Sequence, residues 1–168
     1  MSEQFWWKDR AWRIVQTNLR EIDMADMDAA RYVRELQDFH ANTVIINTGG
    51  IVASYESQIP FHTRNRFLTG DSLKTVIKAC KDAGIRVISR VDFSKVRKPL
   101  YEQHPEWAYV SPNGEIIDYH GLIHMCFNSD YQQKVAMDII REIIRDVDPD
   151  GIFLNMGGYS VALDYTKG

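Results

Sequence analysis

The sequence has little of what marks several specialised classes of protein. Its two cysteines, Cys80 and Cys126, form no CxxC motif and are too few for a disulfide framework. No apolar run approaches the roughly 18 residues that a membrane-spanning helix needs. The first residues also lack the apolar stretch of a signal peptide. We therefore expect a protein of a reducing compartment, cytoplasmic by default, with no membrane partner.

Charge and glycine content exclude two further classes of ligand. A net charge of -3 without a basic stripe argues against nucleic acid as the main partner. The glycine pair in residues 48–51 is too short for a GxGxxG or P-loop motif, so nucleotide binding is not expected, and no other cofactor is indicated. The overall composition is that of an ordinary globular protein, with 45% hydrophobic and 26% charged residues. The length of 168 residues is enough for a single domain over 1–168 with a substantial core.

Residues 86–94 have the pattern of a strand whose end turns from apolar to charged. Strand side chains alternate between faces, so Val87 and Val91 share one face while Arg90 and Asp92 share the other. A charged pair is costly to bury without partners, and ligand sites of α/β folds lie at the C-terminal ends of strands. Arg90 and Asp92 therefore belong to a site or form an ion pair that positions the strand end.

Strands and helices alternate along the chain. Strands are predicted at 13–19, 42–48, 86–92 and 152–155, and helices after Asp26 or Asp28 to His40, after Asp71 or Ser72 to Gly84, and from Asn128 or Ser129 to about Val147. This order predicts parallel strands joined by crossover helices. Every return from a helix to a strand is short, whereas the connections at about 49–70 and 94–127 are long. Both lie at the C-terminal ends of strands, so we predict that this rim binds the ligand.

Each predicted strand also ends in a polar residue, as in the mouth of a (β/α)8 barrel. A whole barrel usually needs about 250 residues, and this chain holds four strands. We therefore predict an α/β fold of the TIM-barrel (β/α)8 type, incomplete, with about four β/α units forming an N-terminal half barrel. An open doubly wound sheet is the alternative. Either would leave two sheet edges that the missing C-terminal half or self-association would cover.

Several segments carry a family resemblance. They are residues 16–23 (QTNLREID), 47–53 (NTGGIVA), 60–64 (PFHTR), 90–95 (RVDFSK), 104–107 (HPEW) and 150–156 (DGIFLNM). In this order they resemble the hypothetical glycosyl hydrolase 6 family, which is related to the α-amylase and α-L-fucosidase barrels. The resemblance implies a (β/α)8 barrel that acts on carbohydrate and continues past the end of this chain. Related barrels carry a nucleophilic carboxylate at the end of the fourth strand, where this chain has Asn155.

Glycoside hydrolysis normally uses two carboxyl groups roughly 5 to 9.5 Å apart. Asp92 is the best-placed candidate for a catalytic carboxylate, although it could instead orient an arginine or accept hydrogen bonds from sugar hydroxyls. Glu21, Asp23 and Asp118 are further carboxylates near strand ends. The strands beyond this chain would supply at least one partner, because the two groups usually come from different strands.

Sugar binding requires hydrogen-bonding groups for hydroxyls and aromatic faces for the apolar side of the ring. The substrate-binding candidates are Asn18, Arg20, Asn47, His62, Arg90, Trp107, His124, Asn128 and Asn155, with Tyr109 and Tyr119 as further stacking platforms. Each also has a structural interpretation: Trp107 could anchor the long connection, and Asn128 could cap the last helix.

Residues His120, His124 and Cys126 form an H-x3-H-x-C pattern. The spacing matches no common zinc module and no fourth ligand is evident, so we expect no metal site. Two hypotheses follow. The chain contributes the substrate-binding half of a glycoside hydrolase and is inactive alone, or it is a non-catalytic carbohydrate-binding or self-associating half-barrel module.

Overall fold

The structure is a computed structural model that describes residues 7–8 and 11–156. Its strands and α-helices, in chain order, are β1 (Ile14–Thr17), α1 (Ala29–Asp38), β2 (Thr43–Gly50), α2 (Ser72–Asp82), β3 (Arg86–Asp92), β4 (Lys95–Arg97), α3 (Lys98–Gln103), β5 (Asp118–Tyr119), β6 (Leu122–His124), α4 (Ala136–Asp146) and β7 (Gly151–Asn155). A parallel four-stranded sheet has the order β1-β2-β3-β7. The predicted alternation of parallel strands and crossover helices is confirmed.

The main core lies between this sheet and the helices. Buried side chains from β2, β3, α2 and α4 form it, among them Val44, Ile46, Val76, Val87, Val91, Ile139 and Ile143. The opposite side of the sheet carries half-buried polar groups. We call it the site side and define it by Asn47, Arg90, Asp92 and Asn155, which pair in register as Asn47 with Arg90 and Asp92 with Asn155.

The first two helices begin and end close to the predicted residues. Asp28 is the N-cap of α1, where its Oδ1 accepts a hydrogen bond of 2.9 Å from the backbone N–H of Arg31. The last helix differs from the prediction, because a π-helical turn at Tyr131–Val135 precedes α4. Helical periodicity in the sequence does not distinguish these two backbone forms over a single turn.

The two long strand-to-helix connections are built differently. The first connection (residues 51–71, all described) contains no helix or strand and has one isolated bridge between Ala53 and Arg64. The second connection (residues 93–130) contains α3 and a small antiparallel sheet of order β4-β6-β5. We did not predict this sheet, since its strands are two or three residues long and too short to show a period.

Candidate functional site

Asp92 ends β3 on the site side, and its carboxylate is held in a fixed orientation. Its Oδ2 accepts a hydrogen bond of 2.8 Å from Asn155 Nδ2. Its Oδ1 accepts one of 2.9 Å from the backbone N–H of Ser94 and one of 2.5 Å from Ser94 Oγ. Parallel pairing of β3 with β7 places Asn155 directly beside Asp92. The structure therefore brings together two of the predicted site residues.

Arg90 and Asn47 form a second polar pair one step earlier along the same strands. Arg90 Nη1 donates to Asn47 Oδ1 at 3.1 Å, and Asn47 Nδ2 donates to the backbone oxygen of Leu19 at 2.8 Å. The Arg90 Nε atom is buried and has no hydrogen-bond partner among the described residues. Asn47 therefore holds the guanidinium from one end, while the hydrogen-bonding capacity of the buried Nε is unsatisfied.

Gly50 allows β2 to lie this close to Asp92. A register shift between Asn47 and Gly49 marks a bulge in β2, and Gly50 has a φ angle of +105°. A Cβ at position 50 would lie 2.1 Å from the backbone oxygen of Asp92 and 2.5 Å from its backbone nitrogen. Only glycine fits such an approach, so Gly50 of the glycine pair serves the geometry of the site.

A cavity of about 490 Å³ opens above these polar pairs. Its lining comes from the ends of β1, β2 and β3 and from both long connections: Leu19, Arg20, Glu21, Asn47, Thr48, Gly49, Ile51, Val52, Ser54, Arg90, Asp92, Arg97, His120, Gly121 and Leu122. An ion pair between Arg97 and Glu21 joins β4 to the segment after β1. The predicted binding rim is thus lined by charged and amide groups together with a few apolar side chains.

His124 lies near Asp92 and Lys95, in the antiparallel pair that joins β6 to β4. It pairs in register with Lys95, whose Nζ donates to Ser94 Oγ at 2.9 Å. Burial lowers the pKa of His124, the Lys95 charge lowers it further, and the Asp92 carboxylate raises it in part. His124 is therefore a neutral imidazole near neutral pH, able to donate one hydrogen bond and accept another.

Four of the predicted residues lie at exposed positions. Asn18 accepts a hydrogen bond of 3.0 Å from Gln16, and Arg20 pairs with Asp23 at 2.9 Å while lining the cavity. Tyr119 is exposed and makes an edge contact with His120, with ring centroids 4.9 Å apart. Asn128 is exposed before the π-helical turn.

The structure places His62 on the helix side of the sheet, outside the lining of the cavity. Its ring packs at an angle against Tyr55, with centroids 5.9 Å apart, and its Nε2 accepts a hydrogen bond of 3.3 Å from the backbone N–H of Gly50. Burial lowers the pKa of His62 to about 4. His62 contacts the site through Gly50, and its side chain does not reach the cavity.

Trp107 also lies outside the cavity lining. It is buried within the second connection, stacked on His104 at a centroid distance of 3.8 Å and packed against Tyr131 at 5.6 Å. The indole faces are therefore covered by protein side chains. Its position fits the anchoring role that we weighed beside sugar stacking.

Glu142 is a structurally important carboxylate that we did not predict. It is 3% exposed, and it accepts hydrogen bonds from Tyr55 OH at 2.7 Å, Ser57 Oγ at 2.6 Å and the backbone N–H of Gln58 at 2.6 Å. Burial raises the pKa of Glu142, but these three hydrogen bonds outweigh it and the pKa lies below its usual range. The signal in the sequence is a charged residue between Ile139 and Ile143, on the buried stripe of α4.

No group of three His, Cys, Asp or Glu side chains within 7–8 and 11–156 is arranged to hold a metal ion. In the same ranges, no helix combines the length and the apolar composition that crossing a membrane requires.

Similar folds occur in solved structures, among them an α-L-fucosidase and an α-amylase. Alpha-L-fucosidase isoenzyme 2 from Paenibacillus thiaminolyticus matches with a TM-score of 0.74 and 21% identity, over 89% of this chain and 24% of that chain. A maltogenic alpha-amylase from Thermotoga neapolitana matches with a TM-score of 0.58 and 15% identity, over 86% and 39% of the two chains. A hypothetical protein from Ruminiclostridium thermocellum matches with a TM-score of 0.65 and 20% identity, over 86% and 75%. The chain spans about a quarter of the fucosidase. These matches confirm the predicted α/β fold of the TIM-barrel type, present in part.

Sequence comparison gives a family. No curated protein sequence matches this chain. The family model described as hypothetical glycosyl hydrolase 6 matches residues 28–156, which include three of the four parallel strands and the residues of both polar pairs. The chain belongs to the hypothetical glycosyl hydrolase 6 family.

Proposed function

We propose that this chain contributes the substrate-binding half of the active site of a glycoside hydrolase. One observation carries the proposal. Asn47, Arg90, Asp92 and Asn155 meet on the site side as two adjacent hydrogen-bonded pairs, and three of them line the cavity of about 490 Å³. Charged and amide groups at the C-terminal ends of parallel strands are the groups that bind sugar hydroxyls in a barrel.

Asp92 is the carboxylate that this half supplies to the reaction. A carboxylate has about four lone-pair positions, and three hydrogen bonds from Ser94 and Asn155 leave room for one from a substrate. These donors fix both oxygens, so the group is oriented before the substrate binds, as a nucleophile or an electrostatic stabiliser needs to be. The second carboxyl group comes from strands outside this chain, and the chain by itself does not hydrolyse glycosides.

The edges of the sheet support the same proposal. β1 and β7 are the outer strands of the four-stranded order, and Ile14 on β1 and Phe153 on β7 are partly exposed. Parallel edges of this kind pair with further strands when a barrel closes. The remaining strands of a barrel would pair with β1 and β7, and a second copy of the half barrel is the other way to cover them.

The test is hydrolysis by the full-length protein on a panel of aryl glycosides. Replacing Asp92 by Asn keeps the shape of the side chain and removes its charge, so we expect kcat to fall by about 10²–10⁴. Asp138→Asn is the matched control, because Asp138 is exposed on α4 and paired with Arg141. Normal turnover in Asp92→Asn would contradict the catalytic role.

A non-catalytic carbohydrate-binding module is the second candidate, favoured by the amide at the end of β7. Asn155 donates its hydrogen bond to Asp92 and offers no second carboxylate beside it. This candidate predicts saccharide binding without turnover by the full-length protein on any glycoside of the panel. Binding that depends on Asp92 and Asn155 in the absence of hydrolysis would favour it.

A further inference from the structure

We infer that the saccharide bound at this site carries an anionic group, a carboxylate, sulfate or phosphate, and that Arg90 binds that group. The inference rests on the proposed function, since it names the class of substrate for the same cavity.

Three arginines line the cavity, and two of them have carboxylate partners. Arg20 pairs with Asp23 at 2.9 Å, and Arg97 pairs with Glu21. Within the described part of the chain, Arg90 has no carboxylate within 4.0 Å, and its one hydrogen bond is to the neutral amide of Asn47. Arg90 is therefore the uncompensated cation of the cavity.

The nearest candidate partner in the sequence, Asp92, is held away from Arg90. Both residues lie on the site side of β3, two positions apart, yet the oxygens of Asp92 accept hydrogen bonds from Ser94 and Asn155. No ion pair joins the two side chains among the described residues. The site thus keeps a carboxylate and a guanidinium side by side without letting them neutralise each other.

The guanidinium of Arg90 is also positioned in advance. Asn47 holds its Nη1 and is itself held by the backbone oxygen of Leu19, so the segment that follows β1 fixes the side chain through β2. Arg90 is half-buried and its Nε has no partner. A partly desolvated cation without a counter-ion is costly, and that cost falls when an anionic oxygen binds. A planar guanidinium fits carboxylate, sulfate and phosphate oxygens in particular.

Lys95 adds a second positive charge near the site. Its Nζ donates to Ser94 Oγ at 2.9 Å, and no carboxylate of the described chain lies within ion-pair distance of it. Because Ser94 Oγ in turn donates to Asp92, the hydrogen bond to Ser94 keeps Lys95 near the Asp92 carboxylate. Two cations without ion-pair partners, Arg90 and Lys95, therefore lie near one Asp92 carboxylate, which favours an anionic ligand over a neutral one.

The experiment measures binding of matched sugars to the full-length protein by ligand-observed NMR. The probes are glucose against glucuronate, galactose against galacturonate, and galactose against galactose 6-sulfate and galactose 6-phosphate. We expect at least one anionic sugar to bind about tenfold to a hundredfold more tightly than its neutral counterpart. The carboxylate, sulfate and phosphate probes distinguish the three sources of charge. The preference should shrink when NaCl is raised.

The variants separate charge recognition from folding. Arg90→Gln should abolish the preference for the anionic sugar, and Arg90→Lys should keep part of it, because lysine retains the charge without the planar fork. Arg31→Gln is the matched control, since Arg31 is exposed on α1 and paired with Glu35 at 2.8 Å. The difference in affinity between anionic and neutral sugars is also measured on the unmodified protein, so it tests the inference even if Arg90→Gln fails to fold.

Each outcome decides something. Equal binding of neutral and anionic sugars, or a preference that survives in Arg90→Gln, overturns the inference and leaves the proposed function standing. A structure of the full-length protein with a carboxylate within 4 Å of Arg90 overturns it as well. Absence of binding by every saccharide in the panel overturns both the inference and the proposed function.

Discussion

The two long connections on the rim of the sheet are held in different ways. The first connection has no strand or helix of its own; it buries Ala53, Tyr55 and Leu68 in the main core, and the buried carboxylate of Glu142 on α4 accepts three hydrogen bonds from it. The second connection forms a small antiparallel sheet and packs apolar side chains beneath it, including Trp107 and Ile123. Both line the same cavity. A binding rim can thus be made rigid by polar anchoring or by a small core of its own.

Because the two connections are held differently, we expect their stability to respond to different changes in the protein and its solvent. Apolar packing is spread over many contacts and depends on shape, so its loss costs free energy at any pH. A buried carboxylate concentrates the stabilisation in a few charge-assisted hydrogen bonds, and it depends on ionisation. The first connection should therefore respond to pH and to single polar substitutions, and the second to changes in side-chain volume.

The largest effect is expected from Trp107→Ala. This substitution removes the ring that stacks on His104 and packs on Tyr131, and loss of a buried tryptophan lowers the free energy of unfolding by about 3–5 kcal/mol. Urea denaturation measures it, with Val110→Ala as the control because Val110 is exposed. A loss below about 1 kcal/mol would mean that the small sheet holds itself without the indole.

Glu142→Ala should have the next largest effect. The substitution leaves the Tyr55 hydroxyl, the Ser57 hydroxyl and the Gln58 N–H without their acceptor, and we expect a loss of about 3 kcal/mol in the free energy of unfolding. Limited proteolysis should then cut within the first connection. Glu142→Gln should lose less, since an amide oxygen still accepts and both hydroxyls can reverse their hydrogen bonds. Equal losses in the two variants would assign the effect to the charge of the carboxylate, because glutamine keeps the shape and the packing of the side chain.

We expect the free energy of unfolding to depend on pH through the buried His62. Burial lowers the pKa of His62 from 6.5 to about 4, so the unfolded state binds more protons between these values. Stability is therefore complete above about pH 6.5 and falls as the pH drops toward 4, by about 2–3 kcal/mol.

The control for this pH effect is His62→Gln, which should flatten the stability profile between pH 6.5 and 4. The Glu142 contribution lies at lower pH, because its depressed pKa keeps it ionised until the pH falls below its usual value of 4.5. Calorimetric unfolding across pH 3–8 separates the two groups. An unchanged profile in His62→Gln would assign the acid sensitivity to other residues.

The sequence indicates the framework of the site better than its details. The alternation of Val87 and Val91 with Arg90 and Asp92 predicts which side of β3 faces the ligand, because a strand has a fixed period. The neighbours of Asp92 could not be predicted, since Asn155 reaches it through parallel pairing 63 positions away. Long-range register is set by packing of the whole sheet, which local patterns do not encode.

Dependence on long-range packing also explains why some of the predicted site residues lie outside the cavity. His62 and Trp107 lie in the two long connections, where their chemistry suggested sugar contacts, but each connection folds so that they face the core. Glu142 was missed because a carboxylate on a helix is usually solvated, and the hydroxyls that satisfy it come from a loop with no periodic pattern. Side chains on regular strands are predictable, whereas those of long connections depend on tertiary contacts.

The smallest effect is expected from Glu56→Gln, which compares two carboxylates that serve the same connection. Glu56 pairs with Arg64 at 2.6 Å, and both side chains are 47% exposed. Water and salt screen such a pair, so its loss should lower the free energy of unfolding by less than about 1 kcal/mol, and less still in high salt. Urea denaturation of Glu56→Gln beside Glu142→Ala, at low and high NaCl, measures both. If Glu56→Gln were as destabilising as Glu142→Ala, burial would not be what gives Glu142 its effect, and the contrast between buried and exposed anchors would fail.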